Sequence, residues 1–325
     1  MGINEIIGIV LKYDLLIITW LQGYAADWLT KTAEVLSFLG EGVILFAIIA
    51  FFYWSYDKET GRFIGTNAVA ALIAGPMLSG GVKRLRPYMN SKDVKCIRPV
   101  NQKYNITNTE MQGYSLPSVT ALGSSAVYGT LSKCSRKFIL KLLLFVLIIA
   151  VGASRVYLGV NYPTDVLAGW AIALIMTAVA SALQKSIKSH FTIMLIFGVL
   201  ALPGWFYCEN TGFYMSYGIM IGVLFGFFVE SAIVRFPNAY GFIRRLLRFI
   251  IGAGVAVGLK FGLDYLLPMI FTQNQLSGAG LIPHIILAGR YFVMAFILTA
   301  VYPAFFHLTA KIGRRRGSKP KRVRD

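Results

Sequence analysis

Residues Ser154-Arg155-Val156-Tyr157-Leu158-Gly159-Val160-Asn161-Tyr162-Pro163-Thr164-Asp165 separate two apolar runs, 139–155 and 165–184. A polar turn of this kind between two such runs reads as the point where the chain leaves a membrane and re-enters it. An arginine and an aspartate at that boundary are expensive to keep near hydrocarbon unless they are paired or hold a ligand. The stretch therefore sets both the fold class and the place to look for chemistry.

The same apolar pattern extends in both directions. The chain of 325 residues is 56% hydrophobic and only 14% charged, with a mean hydropathy of +0.64. That balance excludes an ordinary soluble domain. Apolar segments near 39–56, 63–82, 118–132, 139–155, 165–184, 191–206, 213–234, 249–268 and 285–309 approach the ~20 residues needed to cross a hydrocarbon core of roughly 30 Å. They predict an all-α, polytopic transmembrane bundle of about nine spans. Residues 1–38 mix Ile and Leu with Lys12, Asp14, Asp27, Lys31 and Glu34, which predicts amphipathic helices on the membrane surface. The start lacks the basic region of a cleavable leader and carries Glu5.

The net charge of +18 invites a nucleic-acid reading, but its distribution argues against one. Lys58 and Arg62, then Lys133, Arg136, Lys137 and Lys141, then Lys185 and Lys188, then Arg235, Arg244, Arg245 and Arg248, then the tail KIGRRRGSKPKRVRD fall in alternating loops. This is the positive-inside pattern, so that side is expected to be cytoplasmic and the C-terminus with it. No nucleic-acid motif accompanies it. The opposite, outer face receives 83–117, 157–164, 206–213 and 269–284. Four parts follow: an amphipathic segment (1–38), a membrane core (39–184), additional spans (185–312) and a basic tail (313–325).

Two further stretches fall on the outer face. LSGGVKRLRPYMN (78–90) ends a span with Lys83, Arg84 and Arg86 before the helix-stopping Pro87. GYSLPSVTALGSS (113–125) opens the next span at Ser118, a favoured cap residue, and the free amides of a helix start form a ready anion site. The loop between, 88–116, carries Lys92, Lys95, Arg98 and Lys103, basic residues on the face where that charge is normally sparse. They serve either an anionic ligand or a solvated loop balanced by Asp93 and Glu110. Cys96 and Cys208 share the outer face, so a disulfide between them and two free thiols both remain open.

Together these three blocks resemble the type 2 phosphatidic acid phosphatase family, whose pattern is KxxxxxxRP, then PSGH, then SRxxxxxHxxxD. The resemblance covers about 60–184. It implies that Arg86, Ser118 and Arg155, with Lys83 in place of the first-block lysine, hold phosphate, and that Asp165 is the aspartate that orients a nucleophile. It also exposes what is missing. The first-block lysine position is Ser79, the acid histidine position is Thr120, and the nucleophile position is Asn161. An amide nitrogen has its lone pair delocalised and a threonine hydroxyl is a very weak acid, whereas a histidine near its ordinary pKa of about 6.5 attacks and exchanges protons at neutral pH. Of His190, His284 and His307, only His284 falls on the outer face.

The resemblance thus implies a phosphatase fold with no intact catalytic pair. It would bind a membrane phospholipid or polyprenyl phosphate at the outer leaflet of the plasma membrane, without metal or cofactor, and a membrane-protein partner is compatible with it. Two alternatives stand beside it: an active lipid phosphate or polyprenyl diphosphate phosphatase with a rebuilt site, and a purely structural membrane partner. Beyond 190, Glu230, Lys260, Asp264 and Arg290 lie at membrane depth, where ionisable residues are usually paired. The glycines of GIMIGVLFG (218–226) and IGAGVAVG (251–258) predict close helix packing.

Overall fold

The computed structural model describes residues 3–277 and 280–307. The basic tail 313–325 lies outside the described residues. Every regular element among the described residues is helical. The chain runs α1 (Ile3–Gly23), α2 (Asp27–Leu39), α3 (Gly42–Phe51, continued by a π-turn at Phe52–Tyr56), α4 (Lys58–Val82), the short α5 (Pro87–Asn90) and α6 (Thr109–Gln112), then α7 (Val119–Cys134), α8 (Phe138–Tyr157) and α9 (Pro163–Ser186). After these come α10 (His190–Ala201), α11 (Gly204–Tyr207), α12 (Thr211–Val229, with a π-turn at Glu230–Val234), α13 (Phe242–Ile270), α14 (Gln273–Ser277), α15 (Leu281–Phe296, with a π-turn at Ile297–Val301) and α16 (Tyr302–Ala304).

Among the described residues, seven helices are long and apolar enough to cross a membrane, or eight if α2 and α3, bent by 49°, count as one span. The remaining difference from about nine is α7. Its 16 residues reach only about 24 Å, but it packs on α4, α8 and α9, so it need not match the thickness of the lipid. At the bend between α2 and α3, Gly40 sits against Val151 and the methyl of Thr120, where an added Cβ would lie 2.5 and 2.7 Å from them.

α4 is the shared wall of the molecule. One core joins Ile64, Ala68, Val127, Tyr128 and Ile148 on the α7–α8 side. The larger core joins Val69 and Ile73 of α4 to Met194, Phe197, Phe213, Met220 and Leu298 of the later helices. The glycine expectation holds for α12, where Gly218 and Gly222 lie so close to α15 that an added Cβ would be 2.2 Å from the Ala288 carbonyl and 2.5 Å from that of Phe292. On α13 it holds for Gly252, where an added Cβ would stand 2.4 Å from the Trp54 ring, and fails for Gly254 and Gly258, which meet nothing within 4 Å; the rest of α13 is largely unburied.

Three of the four ionisable residues at depth are in ion pairs. Glu230, fully buried, takes Lys58 at 3.1 Å and Arg62, joining the start of α4 to the end of α12. Asp264 pairs with Arg290 across α13 and α15. Lys260 instead lies over the Phe261 ring, 5.9 Å from its centroid.

Candidate functional site

The ends of α4 and α8 and the starts of α7 and α9 meet at one end of the bundle, so all three sequence blocks converge there. Two local features build the meeting point. Ser118 caps α7, its hydroxyl accepting from the Ala121 amide at 3.4 Å. Gly169, nearly two turns into α9, lets that helix close on α7, because an added Cβ would stand 2.8 Å from the Ser118 carbonyl. The Ser118 amide in turn donates to the Asp165 carbonyl at 3.0 Å.

Asn161 lies at the centre and is 3% exposed. Its Oδ1 accepts from Ser118 Oγ at 3.2 Å and from Arg155 Nε at 3.3 Å. Its Nδ2 donates to the Ser115 carbonyl at 2.8 Å. Arg155, buried as well, also donates from Nη1 to Ser37 Oγ of α2 at 2.9 Å. Its two contacts with Asn161 and Ser37 differ in quality: the bond to Asn161 lies at the long edge of the usual range and is weak. Arg155 and Ser118 are thus held lightly toward the position of Asn161, while the amide nitrogen of Asn161 is held tightly.

Asp165 is fully buried. It accepts from Ser115 Oγ, from the Tyr162 amide at 2.8 Å, and from Arg84 Nη1 at 2.8 Å. Arg84 extends the network to Thr164 Oγ1 at 2.8 Å and to Asp14 at 2.9 Å, with its guanidinium 3.8 Å from the Tyr162 ring centroid. Asp14 also accepts from the Thr164 amide at 3.2 Å and from its hydroxyl. Asp14 is 3% exposed. The charge read as surface-facing on α1 is therefore an interior one, because α1 packs on the end of α8 and the start of α9 and meets Arg84 there. Burial pushes the Tyr162 phenol up from its ordinary pKa, against the opposing pull of Asn90 and Arg84.

The remaining site candidates are distributed differently. Arg86 is buried and turns its guanidinium to three backbone carbonyls: Nε and Nη2 to Gln112 at 3.0 and 2.8 Å, Nε also to Gly113 at 3.0 Å, and Nη1 to Val160 at 2.8 Å. It clamps the long loop onto the signature turn. Lys83 takes a left-handed backbone (φ 51) as the residue that ends α4, which sends its side chain to Glu209 at 2.7 Å while Arg84 turns to Asp165. Lys83 holds the Glu209 carboxyl below the ordinary carboxylate range. Ser79 is buried in the last turn of α4, and Thr120 presents its methyl to the bend at Gly40. His284 stacks on Tyr214, ring centroids 4.0 Å apart. His190, bonded to Thr66 at 3.2 Å, and His307, bonded to the Val234 carbonyl, lie at the opposite end of the bundle.

Sequence reasoning passed over Arg84, Asp14, Ser115 and Ser37. Arg84 alone had a local signal, standing between two basic residues already singled out. In the loop, Arg98 pairs with Glu41 at 3.0 Å, which favours balanced charge over a free cation at that position. Cys96 and Cys208 are free thiols, and burial pushes both up from the ordinary thiol pKa. Among the described residues no group of three His, Cys, Asp or Glu side chains could hold a metal ion.

Chemically, this arrangement offers anion-binding donors around a central carboxamide: Arg155, Ser118 and the first amides of α7, which lack partners inside their own helix. Residues 59–188 match the family model described as the PAP2 superfamily, and residues 214–314 match that described as the PAP2 superfamily phosphatase, transmembrane extension. No curated protein and no solved structure matches the chain.

Proposed function

Because the chain belongs to the PAP2 superfamily, whose members act on membrane lipid phosphates, we propose that it binds the phosphate of a membrane lipid at the outer leaflet without hydrolysing it. The observation that carries the reading is Asn161: a carboxamide occupies the nucleophile position and is hydrogen-bonded on both its oxygen and its nitrogen. The lone pair of its nitrogen is delocalised into the carbonyl and does not attack phosphorus, and the Thr120 hydroxyl is too weak an acid to protonate a leaving group at neutral pH. Losing one member of such a pair removes several orders of magnitude of rate; here both are replaced.

The phosphate would displace the two long contacts to Asn161 Oδ1 and take up Arg155 Nε, Ser118 Oγ and the N-terminal amides of α7. Arg–phosphate bonds are charge-assisted and far stronger than the 3.3 Å contact that they replace. Asp165 is paired with Arg84 and accepts from Ser115, which lessens its repulsion of a phosphate. Arg86 serves as the frame that holds the loop, and Lys83 draws a polyanionic head group only if it leaves Glu209. The protein would present or move a phospholipid or polyprenyl phosphate, or regulate an active relative.

The test is equilibrium binding of phosphatidate to the purified full-length protein, beside Arg155→Ala. Losing the charged bonds of Arg155, at about 1.5–3 kcal/mol, predicts roughly 10- to 100-fold weaker binding. Unchanged binding in a folded Arg155→Ala variant would sink the proposal and leave the structural-partner reading.

A further inference from the structure

At the opposite end of the bundle, α13 begins in a way that its own electrostatics disfavour. Gly241 precedes it with no side-chain cap, and the first two turns carry Arg244, Arg245 and Arg248. Cations at a helix N-terminus oppose the positive end of its dipole, where an anion is stabilising. Beside these turns lies a cavity of about 660 Å³ between α13 and the segment Tyr302–Phe306, whose walls include Ile243, Leu247, Tyr302 and Phe306 and whose polar lining includes Arg244 and Arg248.

Arg248 gives the cavity a built polar wall. It is 4% exposed. Its Nη1 donates to the Pro237 carbonyl at 2.9 Å and the Trp54 carbonyl at 3.3 Å, and its guanidinium stands 4.1 Å from the Phe306 ring centroid. Its Nε is buried with no hydrogen-bond partner, a costly state for a charged group inside the protein. The outer wall is the reverse: Ile243 is 72% exposed and Leu247 51% exposed, so the apolar half of the cavity opens onto the lipid-facing side of a spanning helix.

We infer that this cavity is a second lipid site, one that takes an anionic glycerophospholipid, with the phosphate on Arg244, Arg248 and the first amides of α13 and an acyl chain along Ile243 and Leu247. Charge selects the occupant. A zwitterionic lipid would bring its own ammonium group against the two arginines of the lining, Arg244 and Arg248, whereas phosphatidylglycerol brings a net negative charge. The site is independent of the one built around Arg155, which lies at the other end of the bundle.

The experiment uses purified full-length protein carrying Arg155→Ala, so that the signature end is silent. It is titrated with fluorescent phosphatidylglycerol or phosphatidylcholine of equal chain length. Arg244→Gln removes a rim charge, and Leu247→Trp fills the apolar half while leaving the Arg248 backbone bonds intact. The expected result is phosphatidylglycerol bound at least about tenfold more tightly than phosphatidylcholine, with Arg244→Gln about tenfold or more weaker, as loss of one charged bond implies, and Leu247→Trp about tenfold or more weaker because its ring takes the acyl chain's place. Millimolar inorganic phosphate should not compete. Equal affinity for the two lipids overturns the inference, as does wild-type phosphatidylglycerol affinity in both folded variants. Competition by free phosphate contradicts a lipid site. A dimer seen by light scattering that Leu247→Trp disrupts, with lipid affinity unchanged, would make this face a contact between copies instead.

Discussion

Replacing Arg84 by methionine keeps most of the side chain's length but removes the cation between two buried carboxylates. Arg84 makes charged bonds of 2.9 Å to Asp14 and 2.8 Å to Asp165, and a third bond of 2.8 Å to Thr164. Charged hydrogen bonds contribute about 1.5–3 kcal/mol each, which puts the two ionic ones at roughly 3–6 kcal/mol. The Arg84 side chain is 22% exposed, so water softens the loss and the lower end applies, about 3 kcal/mol. That is a large share of a typical folding stability of about 5–15 kcal/mol. The assay is unfolding in mixed micelles titrated with a denaturing detergent and followed by tryptophan fluorescence. Asp14→Asn removes one of the stranded carboxylates, so in the Arg84→Met background it should recover about half of the loss, while in the wild-type background it should destabilise. A cost under about 0.5 kcal/mol for Arg84→Met, or an Asp14→Asn effect of the same sign and size in both backgrounds, would refute the coupled network.

Gly159→Ala should cost about 3 kcal/mol by the same assay. Gly159 has φ +75, and a Cβ there would stand 2.3 Å from the Lys95 carbonyl and 2.9 Å from Gln22 Nε2, which combines left-handed strain of about 1–2 kcal/mol with overpacking of about 1–3 kcal/mol; a neutral substitution would contradict the fit of that turn. Trp54→Phe should cost about 1–3 kcal/mol, because Trp54 Nε1 donates at 3.0 Å to the Leu298 carbonyl inside a π-turn and phenylalanine leaves that acceptor buried and unpaired; unchanged unfolding would show that another donor takes over. Burial raises the Cys96 thiol pKa, and since the thiolate is the reactive form, less of it is present at neutral pH than for an exposed thiol. Alkylation of Cys96 should therefore be slow at pH 7 and climb about tenfold per pH unit, whereas a rate at pH 7 equal to that of a free thiol in solution would contradict its burial.

What the sequence made legible was whatever depends on neighbours along the chain. Apolar runs located the spans, Ser118 announced itself as a cap, and alternating charge put His190 and His307 at the end away from the signature, where the structure has them. The partners of the signature were not legible, because they come from far away in sequence. Asp14 meets Thr164 across 150 residues and Arg155 meets Ser37 across 118. On α1 alone, Asp14 is indistinguishable from a surface charge. The divergence of Lys83 from Arg84 turns on one left-handed residue, which no residue type demanded here. Arg86 shows the same limit from the other side: a motif arginine reads as a ligand for phosphate, and only the packed loop reveals three carbonyls converging on it. The packing of α7 against three neighbours likewise excuses its length, and nothing local says so.

The claim at the centre of this account is that the anion site remains and the nucleophile is gone. Phosphate release from phosphatidate and from a polyprenyl diphosphate by the purified wild-type protein tests it most directly, with Arg155→Ala and the double variant Thr120→His/Asn161→His alongside. No Arg155-dependent release is expected from the wild type, and measurable turnover only from the double variant. Wild-type release comparable with the double variant, and abolished by Arg155→Ala, would contradict it and make the chain a working phosphatase with a rebuilt site.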